Sequence, residues 1–189
     1  MYKSDEIIIA GFGGQGVLSM GQTLAYAAMI DKKETSWMPS YGPEMRGGTA
    51  NCIVIVSEGP ISSPIVTKFD SGIVLNQPSM EKFEEAIKPG GVLVYEASTI
   101  ITAPTRTDIT VLKIPAIDEA NKMNKKQVAN MIMLGAFLEL KPILAMESIL
   151  SALKKVLPER HHHTIPLNEK AILRGRELAA EQLTVSNTI

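Results

Sequence analysis

The hydrophobic pattern of the chain opens with a short unbroken run, the three isoleucines at residues 7–9. A run of β-branched residues suits a parallel strand that is buried on both faces. Four glycines lie within residues 11–16, and apolar residues then recur at helical spacing, at Val17, Leu18, Leu24, Ala25 and Ala28. The pattern therefore predicts a buried strand, a glycine turn and a helix.

The same alternation continues along the chain. Apolar runs predict strands at residues 35–38, 51–56, 72–75, 92–95 and 109–114. Helical spacing predicts helices at 80–87, closed by 88–91, at 128–140, at 146–157 and from 168 to about 182, with Ser79 and Asn168 as N-caps. We expect an α/β fold: a Rossmann-like three-layer sandwich with a mostly parallel sheet and helices on both faces. Residues 1–189 are expected to form one domain, with a frayed tail at 184–189.

The glycine turn is the first candidate site. Its residues fit the pattern G-x-G-x-x-G with one extra glycine. Glycines allow positive φ angles and bring backbone N–H groups against an anion at a helix N-terminus. The candidate cofactor-binding residues are Gly11, Gly13, Gly14, Gln15, Gly16 and, beyond the strand at 72–75, Asn76. The alternatives are that the glycines only allow tight packing and that Asn76 only satisfies loop backbone.

A dinucleotide site would also require an acidic residue at the end of the second strand. Asp31 and Glu34 stand before that strand instead. We therefore rank NAD below a phosphate-bearing ligand or a protein partner.

The second unusual stretch is residues 36–49, SWMPSYGPEMRGGT. Its prolines and glycines predict a shaped loop, and its Trp, Tyr, Met and Arg residues are typical of buried interfaces. The candidate partner-docking residues are Tyr41, Glu44, Arg46, Gly47 and Gly48. The alternative is a turn with an exposed Glu–Arg pair that contributes under about 1 kcal/mol.

Composition limits the classes of function open to the chain. A net charge of −1 and 5% aromatic residues argue against nucleic-acid binding. We expect a cytoplasmic protein, because no secretory h-region and no membrane span is apparent. Cys52 is the only cysteine, so the chain alone cannot ligate an iron–sulfur cluster, and we expect an inert thiol in the core. The histidines at 161–163 are expected in a solvated loop. We identify no catalytic residue and no metal ligand.

Two motifs, GFGGQGV at 11–17 and YGPEMRGGTANC at 41–52, resemble the gamma subunit of 2-oxoacid:ferredoxin (or acceptor) oxidoreductases. NQPS at 76–79 and PGG at 89–91 extend the likeness. EMRGGTANC with NQPS is more similar to the 2-oxoglutarate or branched-chain branch than to the pyruvate branch.

The resemblance implies a Rossmann-like subunit of a complex that oxidatively decarboxylates a 2-oxoacid, forms an acyl-CoA and reduces ferredoxin or a similar acceptor. Thiamine diphosphate, Mg and [4Fe–4S] clusters are then expected on alpha, beta and possibly delta subunits, with none firmly bound here. CoA would be a substrate, and an isolated chain could form a homodimer. The alternatives are a stand-alone NAD(P)-dependent oxidoreductase and a nonenzymatic nucleotide-binding scaffold.

Overall fold

The computed structural model of the chain describes residues 2–41 and 49–186. Its strands are β1 (Ser4–Phe12), β2 (Glu34–Tyr41), β3 (Thr49–Ser57), β4 (Phe69–Val74), β5 (Ile87–Glu96) and β6 (Thr110–Ile114). Its α-helices are α1 (Val17–Ile30), α2 (Gln77–Phe83), α3 (Ala116–Lys122), α4 (Ala129–Leu140), α5 (Met146–Val156) and α6 (Ile165–Ser186). Short 3-10 helices lie at Glu84–Ala86, Lys126–Val128 and Glu159–Thr164.

The six strands of the described residues form one sheet in the order β2-β3-β1-β4-β5-β6. β1, β4, β5 and β6 pair in parallel, whereas β3 is antiparallel to both of its neighbours, β1 and β2. Five strands therefore run in one direction and β3 runs against them. The predicted mostly parallel α/β sandwich is confirmed.

Both faces of the sheet are covered. Along β1, Ile7 and Ile9 pack in a large core on one face, and Ile8 and Ala10 pack in a smaller core on the other. The larger core includes residues of α1, α3, α4, α5 and α6, and the smaller one includes Met80 of α2. Full burial on both faces explains why β1 has an unbroken apolar sequence.

α4 is the most buried helix of the larger layer. Eight of its residues, from Met131 to Leu138, are buried, as its apolar sequence predicted. A Cβ atom at Gly135 would lie 2.0 Å from the carbonyl oxygen of Ile172, and one at Gly175 would lie 1.9 Å from that of Ile132. The two glycines therefore allow the backbones of α4 and α6 to touch.

Some predicted element boundaries are wrong. Residues 36–41 belong to β2 and not to a loop, although Pro39 lies among them. β2 is the outermost strand of the sheet, where a proline costs no hydrogen bond on the open side. Residues 88–91 lie within β5 instead of closing a helix, and there Gly90 takes a φ of +75° and donates its N–H to Asp108 O at 2.7 Å.

The last helix also differs from the prediction. α6 begins at Ile165, with Pro166 in its first turn, where a proline needs no hydrogen-bond partner. Asn168 lies inside the helix, and its Nδ2 donates to Thr164 O at 2.9 Å. The helix continues to Ser186. Within residues 2–41 and 49–186, no helix has the length and apolar character needed to cross a membrane.

Candidate functional site

The glycine turn connects the carboxyl end of β1 to the start of α1. Gln15 N donates to Phe12 O at 3.1 Å, and Gly14 and Gly16 have φ angles of +95° and +78°. L-residues with a Cβ rarely adopt such angles, so these two positions require glycine. The turn places the N-terminus of α1 at the carboxyl edge of the sheet.

Gln15 is used inside the protein. Its Oε1 accepts a hydrogen bond from Phe12 N at 2.6 Å, and its Nε2 donates to Leu75 O at 3.2 Å. A Cβ at Gly11 would lie 2.6 Å from that Oε1, so Gly11 makes room for the amide. The Gln15 side chain therefore fixes the shape of the turn.

Gly16 is the N-cap of α1, and its carbonyl accepts from Met20 N at 3.0 Å. Asn130 Nδ2, in the first turn of α4, also donates to Gly16 O at 3.4 Å. The first N–H groups of a helix have no partner within the helix, and Gly16 has no side chain to cap them. This end of α1 thus carries backbone donors and partial positive charge.

Asn76 lies at the carboxyl end of β4, as expected, and its side-chain oxygen caps a helix. Its Oδ1 accepts from Ser79 N at 2.9 Å, so Asn76 and not Ser79 is the N-cap of α2. Pro78 lies in the first turn of α2, where a proline needs no hydrogen-bond partner. The Asn76 side chain is buried, and its Nδ2 finds no acceptor among the described residues.

Glu96 anchors the end of β5. Its Oε2 accepts from Ser98 N and Thr99 N, each at 2.8 Å, and its Oε1 accepts from Ile117 N at 3.2 Å. Thr99 Oγ1 lies 2.7 Å from Leu75 O, the same carbonyl that Gln15 contacts. One hydrogen-bonded network therefore joins the ends of β1, β4 and β5 to the start of α3.

Two neighbouring cavities open around this network. The smaller, of about 290 Å³, is lined by Gly14, Gln15, Gly16, Leu75, Glu96 and residues of the α3 and α4 starts. The larger, of about 530 Å³, lies between the starts of α1, α4 and α6 and includes His161 and His163. Gly16, Gln127 and Asn130 border both cavities. Their volumes are of the order of small-molecule sites, about 300–1,000 Å³.

The predicted docking loop falls mostly outside the described residues, which exclude Glu44, Arg46, Gly47 and Gly48. Its two flanks are described. Tyr41 ends β2 opposite Ala50, and Thr49 begins β3 opposite Phe12 of β1. Both flanks therefore lie at the same edge of the sheet as the glycine turn.

The topology does not provide a dinucleotide ribose site. In the described sheet the antiparallel strand β3 separates β1 from β2, so the second strand of the chain does not pair directly with β1 as it does in a dinucleotide fold. Glu34 begins β2 at the opposite edge, and Asp31 caps the far end of α1, where its Oδ2 accepts from Ala145 N at 2.9 Å.

Cys52 is buried in β3, with its Sγ 3.6 Å from Val17 O. Burial raises the pKa of its thiol to about 12. The predicted place of Cys52 in the core is confirmed. A lone buried thiol does not fit an iron–sulfur cluster, which requires several accessible thiolates.

The histidine triplet lies on the 3-10 helix Glu159–Thr164 and not in an extended loop. The rings of His161 and His163 are 6.4 Å apart, whereas the ring of His162 bonds to Leu157 O at 3.0 Å. Among the described residues, no group of three or more His, Cys, Asp or Glu side chains could hold a metal ion.

Sequence reasoning missed several residues at this edge. Glu96 directly follows the predicted strand 92–95, which is a usable signal for a residue at the carboxyl edge. Asn130 is the one polar side chain near the start of a nearly all-apolar helix. Lys125, Lys126 and Gln127 carry no signal of their own, because only the folded arrangement brings them to the cavities.

A mixed sheet, a glycine turn at its carboxyl edge and two cavities beside that turn define a Rossmann-like domain. The family model described as pyruvate ferredoxin/flavodoxin oxidoreductase matches residues 6–178. The chain therefore belongs to this family, which confirms the resemblance found in its two motifs.

Two relatives give the scale of the likeness. The chain is 39% identical over 179 residues to the ketoisovalerate oxidoreductase subunit VorA of Methanothermobacter thermautotrophicus, covering 94% of this chain and 37% of that protein. It is 37% identical over 179 residues to the 2-oxoglutarate synthase subunit KorC of Methanocaldococcus jannaschii, covering 93% and 94%. The chain thus spans just over a third of VorA and nearly all of KorC.

Solved structures of the same family are similar to the chain in fold. The gamma subunit of a keto/oxoacid ferredoxin oxidoreductase from Geobacter sulfurreducens matches with a TM-score of 0.81 and 31% identity, over 95% of this chain and 98% of that one. A 2-oxoglutarate:ferredoxin oxidoreductase from Magnetococcus marinus, with 2-oxoglutarate, coenzyme A and succinyl-CoA bound, matches with a TM-score of 0.85 and 26% identity, over 95% and 31%. The chain is the gamma-type polypeptide of the family.

Proposed function

We propose that the chain acts within a heteromeric complex that converts a 2-oxoacid and CoA to an acyl-CoA and CO₂, with the electrons passing to ferredoxin or a similar acceptor in the cytoplasm. Its partners would be alpha and beta chains, with a ferredoxin-like delta chain where the complex has one. Thiamine diphosphate, Mg and the clusters would reside on those partners. The near full-length match to KorC and to a gamma subunit carries this proposal.

The chain's own part in the reaction would be to bind and position. The backbone N–H groups of Gly13, Gly14 and Gly16 and the N-terminus of α1 suit a phosphate group of CoA, whereas Gln15 N already donates to Phe12 O. The buried Asn76 Nδ2, which finds no acceptor among the described residues, adds a donor at the same edge of the sheet. The network through Gln15, Leu75 and Glu96 would hold these donors in place before the ligand arrives.

Docking to a partner chain is assigned to Tyr41, Glu44, Arg46, Gly47 and Gly48. Supporting this, the described flanks Tyr41 and Thr49 lie at the same edge of the sheet as the glycine turn. A partner bound there would cover the carboxyl edge and exclude water from the ligand. Arg46 would supply a planar guanidinium, which suits a partner carboxylate or phosphate.

The substrate is proposed to be 2-oxoglutarate, giving succinyl-CoA. The motif EMRGGTANC with NQPS supports this choice, although VorA and KorC are about equally similar to the chain. Assays of the complex with 2-oxoglutarate, ketoisovalerate and pyruvate separate the three. Turnover of ketoisovalerate or pyruvate in preference to 2-oxoglutarate would contradict the assignment.

Arg46→Ala tests the docking assignment. We expect this variant to fold normally but to lose most of the assembly or turnover of the complex, because an interface arginine often contributes about 2 kcal/mol or more. Lys170→Ala, on an exposed position of α6, is the matched control for loss of one cation. Normal assembly and turnover of the Arg46→Ala complex would sink the assignment.

A further inference from the structure

The larger cavity at the carboxyl edge has the chemistry of a nucleoside phosphate site. Its side chains fall into cationic or imidazole groups, amides and apolar groups. We propose that this cavity, here called the histidine cavity, binds the nucleoside phosphate part of a ligand through Lys125, His161 and His163. This inference deepens the proposed function and rests on it for one point, that the natural ligand is CoA.

The electrostatics of the histidine cavity favour an anion. Its lining includes Ser19, Asn130 and Asn168, which lie in the first turns of α1, α4 and α6, helices of 14, 12 and 22 residues. Partial positive charge at each helix start adds to that of Lys125. Among the described residues that line the cavity there is no Asp or Glu to oppose it.

The two outer histidines differ from the middle one. His161 and His163 line the cavity, and Arg160 Nε donates to His161 Nε2 at 3.2 Å. His162 does not line the cavity, because its ring bonds to Leu157 O. His161 and His163 therefore line the cavity, and His162 can serve as a control position in the same segment.

The body of the cavity suits an apolar or aromatic group. Met131, Leu153, Leu157 and Leu167 supply apolar surface, and Gln127 and Asn130 supply amides that match the hydrogen-bonding edge of a base. A volume of about 530 Å³ accommodates a nucleoside phosphate but exceeds what an inorganic anion needs. Gly16 and Asn130 also border the cavity beside the glycine turn, so a ligand arm can continue from one cavity to the other.

Calorimetric titration of the full chain with ADP, CoA and inorganic phosphate tests the proposal. We expect ADP and CoA to bind, and His161→Ala/His163→Ala to weaken both about tenfold or more, because charge-assisted hydrogen bonds to phosphate are lost. His162→Gln is the matched control and should change affinity less than about twofold. The melting temperatures of all variants confirm folding.

Three results would overturn the proposal: failure of the wild-type chain to bind ADP and CoA, equal affinity in the double variant, or inorganic phosphate binding as tightly as ADP. The assembled complex gives an independent reading. There the double variant should raise KM for CoA about tenfold with kcat unchanged. An active complex whose KM for CoA is unchanged in the double variant would contradict the role proposed for the histidine cavity but would leave the proposed function standing. If the chain binds ADP but never assembles with partner chains, the histidine cavity stands and the proposed function falls.

Discussion

Gln15 ties the glycine turn to the neighbouring strand, because its Nε2 donates to the carbonyl oxygen of Leu75 at 3.2 Å. The same side chain accepts from Phe12 N at 2.6 Å across the turn. A single amide therefore sets both the internal shape of the turn and its position relative to β4. A turn fixed in this way presents its N–H groups without reorganisation when a ligand binds.

Replacing Gln15 by Ala should loosen the turn. We expect a loss of about 1–2 kcal/mol in the free energy of unfolding, because Phe12 N and Leu75 O lose a partner. Hydrogen exchange at residues 12–16 should accelerate, as measured by mass spectrometry. Gln22→Ala, at a half-buried position on α1, is the control. Unchanged exchange in the Gln15 variant would mean that the backbone alone holds the turn.

Gly16 and Gly14 form a matched pair for substitution by Ala. Both have positive φ angles, but a Cβ at Gly16 would lie 2.3 Å from Asn130 Nδ2, whereas one at Gly14 meets open space. Backbone strain should cost each variant about 1–2 kcal/mol of unfolding free energy, and Gly16→Ala should lose more. Chemical denaturation measures the difference. Adding Asn130→Ala should recover part of the Gly16 loss, and equal stability of the two single variants would contradict this geometry.

Glu119 should make the chain sensitive to acid. Hydrogen bonds from Lys122, the larger cause, and from Arg174 lower the pKa of this buried carboxyl below its ordinary value of 4.5. A lowered folded-state pKa gives stability that is present above the unfolded value and is lost as the pH falls through the folded value. Glu119→Gln should therefore be less stable at pH 7, by about 1–3 kcal/mol, and should lose less on going below pH 4.5.

The measurement for Glu119 is the free energy of unfolding as a function of pH. Glu177→Gln is the control, since Glu177 also pairs with Arg174 but is 62% exposed in its side chain. Parallel pH curves for wild type and Glu119→Gln would show that this carboxyl does not carry the acid sensitivity.

Cys52 should resist alkylation in the folded chain. Its pKa of about 12 leaves almost no thiolate at pH 8, and burial blocks access as well. Iodoacetamide should therefore label the thiol only after denaturation, as mass spectrometry can follow. Rapid labelling of the native chain, at a rate near that of a free thiol, would contradict the burial of β3.

The sequence predicted the elements better than their relations. The isoleucine run of β1 and the apolar helix α4 are buried all round, and such segments carry an unmistakable pattern. The reversal of β3 carried no such signal, because a β-branched run marks a strand without giving its direction. The structure shows that β2 extends past Pro39 to Tyr41, and β3 begins at Thr49. The connection between them is too short for a crossover helix, so the two strands must be antiparallel.

The sequence predicted only the part of the candidate site that directly follows predicted strands. The glycines and Asn76 follow predicted strands, so their place at the carboxyl edge could be inferred. The histidine cavity could not, because Lys125, His161 and His163 are brought to the start of α1 only by the packing of α4, α5 and α6. The internal use of the Gln15 amide was also hidden, since it depends on the neighbouring Leu75 carbonyl.

The central claim is that the chain contributes binding surface to a reaction carried out with companion chains. Affinity purification of the tagged full chain from its native source, followed by mass spectrometry and a 2-oxoacid:ferredoxin assay, tests it most directly. The account predicts recovery of a thiamine-binding chain together with CoA-dependent oxidoreductase activity. Recovery of the chain alone, with no thiamine-binding companion, or 2-oxoacid turnover by the isolated chain, would contradict it.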